Sequence, residues 1–236
     1  MRHVWSLASV IVLGISAGGA ARAGAQSTGF EGTLTFQMQG EQGSTMTMVS
    51  TTKGNKLRMA VSDAANPTHA GEVVMDGDAH TEMMIMPQQK QYMVIPQSMI
   101  DAMKDRADSG VKFTFSKTGR TETVAGVSCQ VVHVSGTKAG RPQEGDMCVA
   151  KGVGFDPAAW SSMGGQSGAG GEMAQVRAAV GPGNGIMKIV TTSEGKPLFS
   201  MEVTKVDRSP VSADAFTPPA GYTQMQMPAG AGGAPR

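Results

Sequence analysis

From Phe30 onward the chain alternates with a period of two: Gly32, Leu34, Phe36 and Met38 fall on one side, Glu31, Thr33, Thr35 and Gln37 on the other. Successive side chains point to opposite faces only in an extended strand, so the pattern specifies a half-buried β-strand. Met46 and Met48 repeat the rhythm between Thr45, Thr47 and Ser50, and Leu57, Met59 and Val61 repeat it between Lys56, Arg58 and Ala60. Residues 73–75 and 80–86 flank Asp76-Gly77, a dipeptide that tolerates the positive φ of a tight hairpin turn. Residues 87–90 turn the chain into a further strand over 91–95. Consecutive strands of this kind predict an antiparallel sheet with one wet face.

The period changes after Pro96. Met99, Ile100, Met103 and Ala107 share a helical face, Ser98 with Asp101 makes a capping box, and Gly110 supplies the stop, predicting one amphipathic helix over 98–109. Strands resume at Val111, Phe113 and Phe115, over 123–135 and over 147–151. Asp156-Pro157 looks like a capped helix start that carries Trp160. Residues 164–171 have the composition of a flexible linker, and Met173, Val176 and Val180 after it suggest two helical turns. Residues 186–191 and 197–206 form a hairpin around Ser193-Glu194-Gly195, and residues 228–236 have the composition of a disordered tail. The expected fold is mainly β: a strongly curved antiparallel sheet or half-open barrel of about ten strands, with one or two helices on the concave face.

The start of the chain bears on compartment. Arg2 and His3, an apolar run over 7–15 and Ala23-Gly24-Ala25 match a cleaved Sec-type signal peptide over 1–25. Its removal leaves roughly 210 residues, enough for one domain over 26–227. The expected location is the periplasm, with full secretion as the alternative. The formal net charge of +1 shows no excess that would draw nucleic acid or an anionic membrane surface. Aromatics make up 5 % of the chain while methionine numbers 19, so methionine replaces the usual Phe, Leu and Ile in the core. Cys129 and Cys148 are the only cysteines, and an oxidising compartment makes them a disulfide staple between neighbouring strands.

Four short signatures carry a resemblance: Phe30-Glu31-Gly32, Lys56-Leu57-Arg58, Ala125-Gly126-Val127-Ser128-Cys129, and Phe216-Thr217-Pro218-Pro219-Ala220-Gly221-Tyr222. In that order they resemble the exported bacterial family known as domain of unknown function 4412. That family is related in shape to the LolA- and LolB-like periplasmic lipoprotein carriers. The resemblance implies a half-open barrel able to hold something apolar, and no catalytic residues.

Motifs for chemistry are sparse. Gly14-Ile15-Ser16-Ala17-Gly18 matches a nucleophile elbow but lies inside the signal peptide. No phosphate loop or zinc helix is present. Asp76, Asp78 and His80 could hold a divalent metal, although a hairpin turn explains the same residues. Met46-x-Met48, Met84-x-Met86 and Met225-x-Met227 each place two thioethers on one strand face. Thioethers select Cu(I), yet they also fill adaptable apolar surfaces.

The leading expectation is a monomeric, non-enzymatic carrier without cofactor or bound metal. Its Met-lined concave sheet (Leu34, Phe36, Met38, Met46, Met48, Leu57 and Met59, covered by Met99 and Met103) would shelter a lipid-like ligand. Second comes a structural module with a filled core that recruits another envelope protein, and third a methionine-based copper binder.

Overall fold

The computed structural model describes residues 29–41, 43–63, 71–96, 99, 112–138, 140–157 and 170–226. The strands are β1 (Gly32–Gly40), β2 (Thr45–Lys53), β3 (Lys56–Asp63), β4 (Gly71–Asp76), β5 (Thr81–Met86), β6 (Gln91–Pro96), β7 (Lys112–Val124), β8 (Val127–Lys138), β9 (Arg141–Lys151), β10 (Asn184–Ser193), β11 (Lys196–Asp207) and β12 (Thr223–Gln224). Helix α1 spans Gly170–Val180 and a 3-10 turn spans Ala213–Phe216. All twelve strands join one sheet in the order β12-β6-β5-β4-β3-β2-β1-β11-β10-β9-β8-β7. Neighbours are antiparallel throughout, except that β12 runs parallel to β6.

Connectivity favours a bent sheet. The chain passes from β6, second in the order, to β7, at the far end, through residues 97–111. Ten strand spacings of a flat sheet measure roughly 48 Å. The full extended reach of such a stretch is only a little greater, roughly 53–58 Å, so a flat sheet would need it almost straight. The curl is visible where β7 approaches β11 although β10, β9 and β8 lie between them in the order. The sheet stays open, and its inner face forms one core from Leu34, Phe36, Met38, Met48 and Met59 across to Met201, Met147 and Val134.

Helix α1 packs on β7 and β10 and buries Val176 and Val180 in that core, so the two turns expected near Val176 are present. The Phe113 N–H donates to Gln175 Oε1 at 2.8 Å, and Asn184 Nδ2 donates to the Val180 carbonyl at 2.9 Å, which closes the helix end. The expected cover helix over 98–109, Met103, Trp160, most of the linker over 164–171, and both termini lie outside the described residues; Met99 is half-buried.

Several expectations need correction. Residues 123–135 are not one strand: Ala125 and Gly126 both take positive φ (47° and 79°) and make a two-residue hairpin turn between two long strands. A twisted ladder on both sides tolerates that turn even with alanine at its first position. The Asp76-Gly77 turn contains four residues, and the positive φ falls on His80 (53°), not on the glycine. Gly77 is needed instead for close approach, since a Cβ there would sit 2.9 Å from the Asn55 carbonyl oxygen. The sheet also does not have one wet face throughout. Val73 and Val74 point to opposite sides and both are buried, because the C-terminal segment 211–224 covers the outer face of β4–β6. The segment around 216–222 therefore acts as a clasp on the β6 edge.

Candidate functional site

The inner face was expected to be a groove. Leu34 stands opposite Ser50, Ser50 opposite Met59, and Met59 opposite Val73. Phe36 stands opposite Met48, and Met38 between Met46 and Met201. The alternation thus brings Leu34, Phe36, Met38, Met46, Met48, Leu57 and Met59 onto one surface, with Met46 and Leu57 half-buried against the core. Phe36, Met48 and Met59 expose 0 % of their surface, and Leu34 and Met38 at most 2 %. Side chains this enclosed have almost no surface open to water or to a ligand. They form packed interior, with Phe36 meeting Phe155 edge-on at a centroid distance of 6.0 Å.

The packing loosens toward β5 and β6. Glu82, Met84 and Met86 point inward from β5, and Gln91, Met93 and Ile95 from β6. Met84 lies between Val73 and Met93 in the register, yet it is 37 % exposed. Beyond β12 the Met225 N–H donates to the Tyr92 carbonyl at 2.7 Å, continuing the parallel ladder. Met225, itself 36 % exposed, therefore takes the place beside Met93. Sequence reasoning missed Met93 and the buried carboxylate of Glu82. The signal for both was available, because Glu82 and Met93 occupy inward positions of the alternation.

Polar clusters lie mainly on the outer face. The Lys56 Nζ reaches Asp76 Oδ2 at 2.6 Å. That hydrogen bond is the main reason the Asp76 carboxyl sits below its ordinary value; N–H groups of Ala79 and Asp78 reinforce it against partial burial. Asp78 accepts from Asn55 Nδ2, so the candidate metal trio Asp76, Asp78 and His80 is organised as a turn. Arg58 grips Glu72 with two nitrogens and donates a third N–H to the Ala215 carbonyl at 2.9 Å. Lys53 donates to the Val211 carbonyl at 2.6 Å. Both cations rivet the C-terminal clasp to the sheet.

Ser116, His133 and Asp146 stand side by side on β7, β8 and β9, an order of residue types that suggests nucleophilic catalysis. His133 Nδ1 lies 3.0 Å from Asp146 Oδ1, and Arg120 holds the other carboxylate oxygen. Partial burial, the largest single influence, raises the Asp146 pKa, but the bonds from Arg120 and His133 outweigh it and hold the carboxyl below its ordinary value. Among the described residues no hydrogen bond joins Ser116 to His133, and Ser116 is exposed in the middle of a strand. The row has the character of a surface ion cluster, as do Lys188, Glu122 and Glu202 beside it.

Cys129 and Cys148 form a disulfide between β8 and β9 with a Cα–Cα distance of 5.4 Å, both buried. Among the described residues no group of three or more His, Cys, Asp or Glu side chains is placed to hold a metal, and no helix is long and apolar enough to cross a membrane.

A family described as "Domain of unknown function (DUF4412)" matches residues 30–222. No curated protein matches the chain. Among solved structures it is similar to an uncharacterized conserved protein from Thermus thermophilus. The two share 11 % identity at a TM-score of 0.46 over 85 % of this chain and 94 % of the other.

Proposed function

The chain belongs to the DUF4412 family, and on that premise we propose that it is a non-enzymatic, exported module of the cell envelope that works by presenting its surface to another envelope protein. The observation that carries this reading is the packed inner face, where Phe36, Met48 and Met59 expose 0 % of their surface and so offer none of it to a ligand at the centre of the sheet. A buried disulfide suits an oxidising compartment. Among the described residues the polar groups form rivets and surface ion pairs without a nucleophile and base in contact, which supports a role free of bond chemistry.

Edge strand β7 is the surface best suited to a partner, because among the described residues it pairs with β8 alone, and helix α1 takes only its start, where the Phe113 N–H meets Gln175. Lys112, Lys117 and Arg120, with the register shift between Lys117 and Thr121, would restrict pairing to a partner of matching charge and length.

The second reading is a carrier of an apolar chain. The half-exposed methionines at the β5–β6 end favour it, and each methylene buried there would contribute about 0.8 kcal/mol. Native mass spectrometry and solvent extraction of protein purified from its own cells separate the two. The first reading expects no stoichiometric amphiphile, and one acyl chain per protein would overturn it.

A further inference from the structure

Of the three methionine pairs that the strand spacing singles out, the fold packs one into the core and brings residues of the other two together. Met46-x-Met48 is spent on packing, with Met48 fully enclosed opposite Phe36. Met84 and Met86, in contrast, share the inner face of β5 with Met93 of β6 directly opposite Met84. The C-terminal ladder then adds Met225 on the other side of Met93. One hairpin and a segment more than a hundred residues later are thereby set in one row across adjacent strands: Met84, Met93, Met225, with Met86 one step along.

We propose that Met84, Met86, Met93 and Met225 form a site for a soft monovalent cation, Cu(I) or its analogue Ag(I). Three observations carry this. Strand neighbours lie about 4.8 Å apart and same-face residues of one strand about 6.7 Å apart, distances that three flexible side-chain torsions let the sulfurs close. Packing does not account for two of these residues, while Met86 and Met93 are half-buried beside them. Methionines used as core filler here, Met48, Met59, Met147 and Met187, expose 0 %, whereas Met84 and Met225 expose 37 % and 36 % and rank among the most exposed large apolar side chains described. The donor set is also selective, since neutral thioethers are soft ligands that bind Cu(I) and decline hard Ca²⁺ or Mg²⁺. The inference is independent of the protein-partner reading.

The test is an anaerobic competition of the full chain against a chromophoric Cu(I) chelator, with ascorbate as reductant. The wild type should withdraw one equivalent of Cu(I). Met84→Leu/Met93→Leu should weaken binding at least tenfold, and adding Met225→Leu should abolish it, while Met48→Leu leaves it unchanged. Leucine keeps the apolar surface, so amphiphile binding at the same place would survive these changes and the two ligand classes are distinguished. A second measurement needs no variant to fold: Ag(I) added to protein labelled at its methionine methyls should shift the resonances of the exposed row and spare the enclosed ones. Failure of the wild type to compete, a triple variant within tenfold of wild type, or methyl shifts absent from the row would each overturn the proposal.

Discussion

The two ends of the sheet bury their strands by different means. At the β7–β10 end the sheet curls until β7 nears β11, so inward side chains meet each other, and a disulfide and helix α1 fix the curl. At the β3–β6 end the sheet remains open, and a second layer is supplied by the C-terminal segment. Val211 and Phe216 pack on Val74, Met83 and Ile85 in a separate small core. Closure by curvature enlarges one continuous core. Closure by a strap makes a second core that depends on a few polar rivets, chiefly Arg58 on the Ala215 carbonyl and Lys53 on the Val211 carbonyl. The difference predicts a stable end and a yielding end, and the exposed methionine row lies on the yielding one.

The largest effect should come from Phe36→Ala, in the continuous core, which is expected to lose about 3–5 kcal/mol of stability in denaturant titration. Phe216→Ala removes a similar ring from the small core. It should be felt first as faster amide exchange in β6 and β12 while β8 and β9 stay protected. Equal protection loss at both ends would mean that the two cores are one cooperative unit. Next comes the disulfide: Cys129 and Cys148 are 19 residues apart, and replacing both with serine should cost about 3 kcal/mol through loop-closure entropy, with the exchange increase now centred on β8 and β9.

The open and the curled ends were not equally legible. Period-two alternation revealed which face of β1, β2 and β3 is buried, because each strand there is covered on one side only. It failed at β4, where Val73 and Val74 are both enclosed, since the second cover comes from a segment more than a hundred residues later. It failed again at Ala125, where a turn requiring positive φ carries a residue that signals no turn. The signature around Phe216 was legible, but the surface it covers was not. The family signatures turn out to be joints: Glu31 accepts from the Val211 N–H, Arg58 holds the Ala215 carbonyl, Ala125-Gly126 makes the β7–β8 turn, and Cys129 makes the disulfide. The methionine row depends on register and on one parallel ladder, which no local pattern encodes.

A smaller effect is expected at Gly185. It faces Gly154 where Phe155 bridges Ile186, and a Cβ on Gly185 would lie 2.5 Å from the Gly154 carbonyl carbon. Two backbones approach there with no side chain between them. Gly185→Ala should therefore cost about 1–3 kcal/mol by overpacking and shift the thermal midpoint downward. An unchanged midpoint would show that this corner of the curled end is softer than the strapped end.

The smallest effect is electrostatic and belongs to the open end. Asp76 is held below the ordinary carboxylate value, chiefly by the Lys56 hydrogen bond, so the folded state binds its proton more weakly than the unfolded chain does. Its contribution is complete above the unfolded value, about pH 4, and is lost as pH falls through the folded value. Lys56 is raised by the same bond, so its contribution is complete below about pH 10 and is lost as pH rises through its folded value. Asp76→Asn should cost no more than about 1 kcal/mol at neutral pH. Stability of the variant measured between pH 2 and 7 should fall less steeply toward acid than that of the wild type. Identical acid limbs would place the acid-sensitive groups elsewhere, with Asp146 at the curled end, similarly depressed by Arg120 and His133 against partial burial, as the next carboxylate to replace.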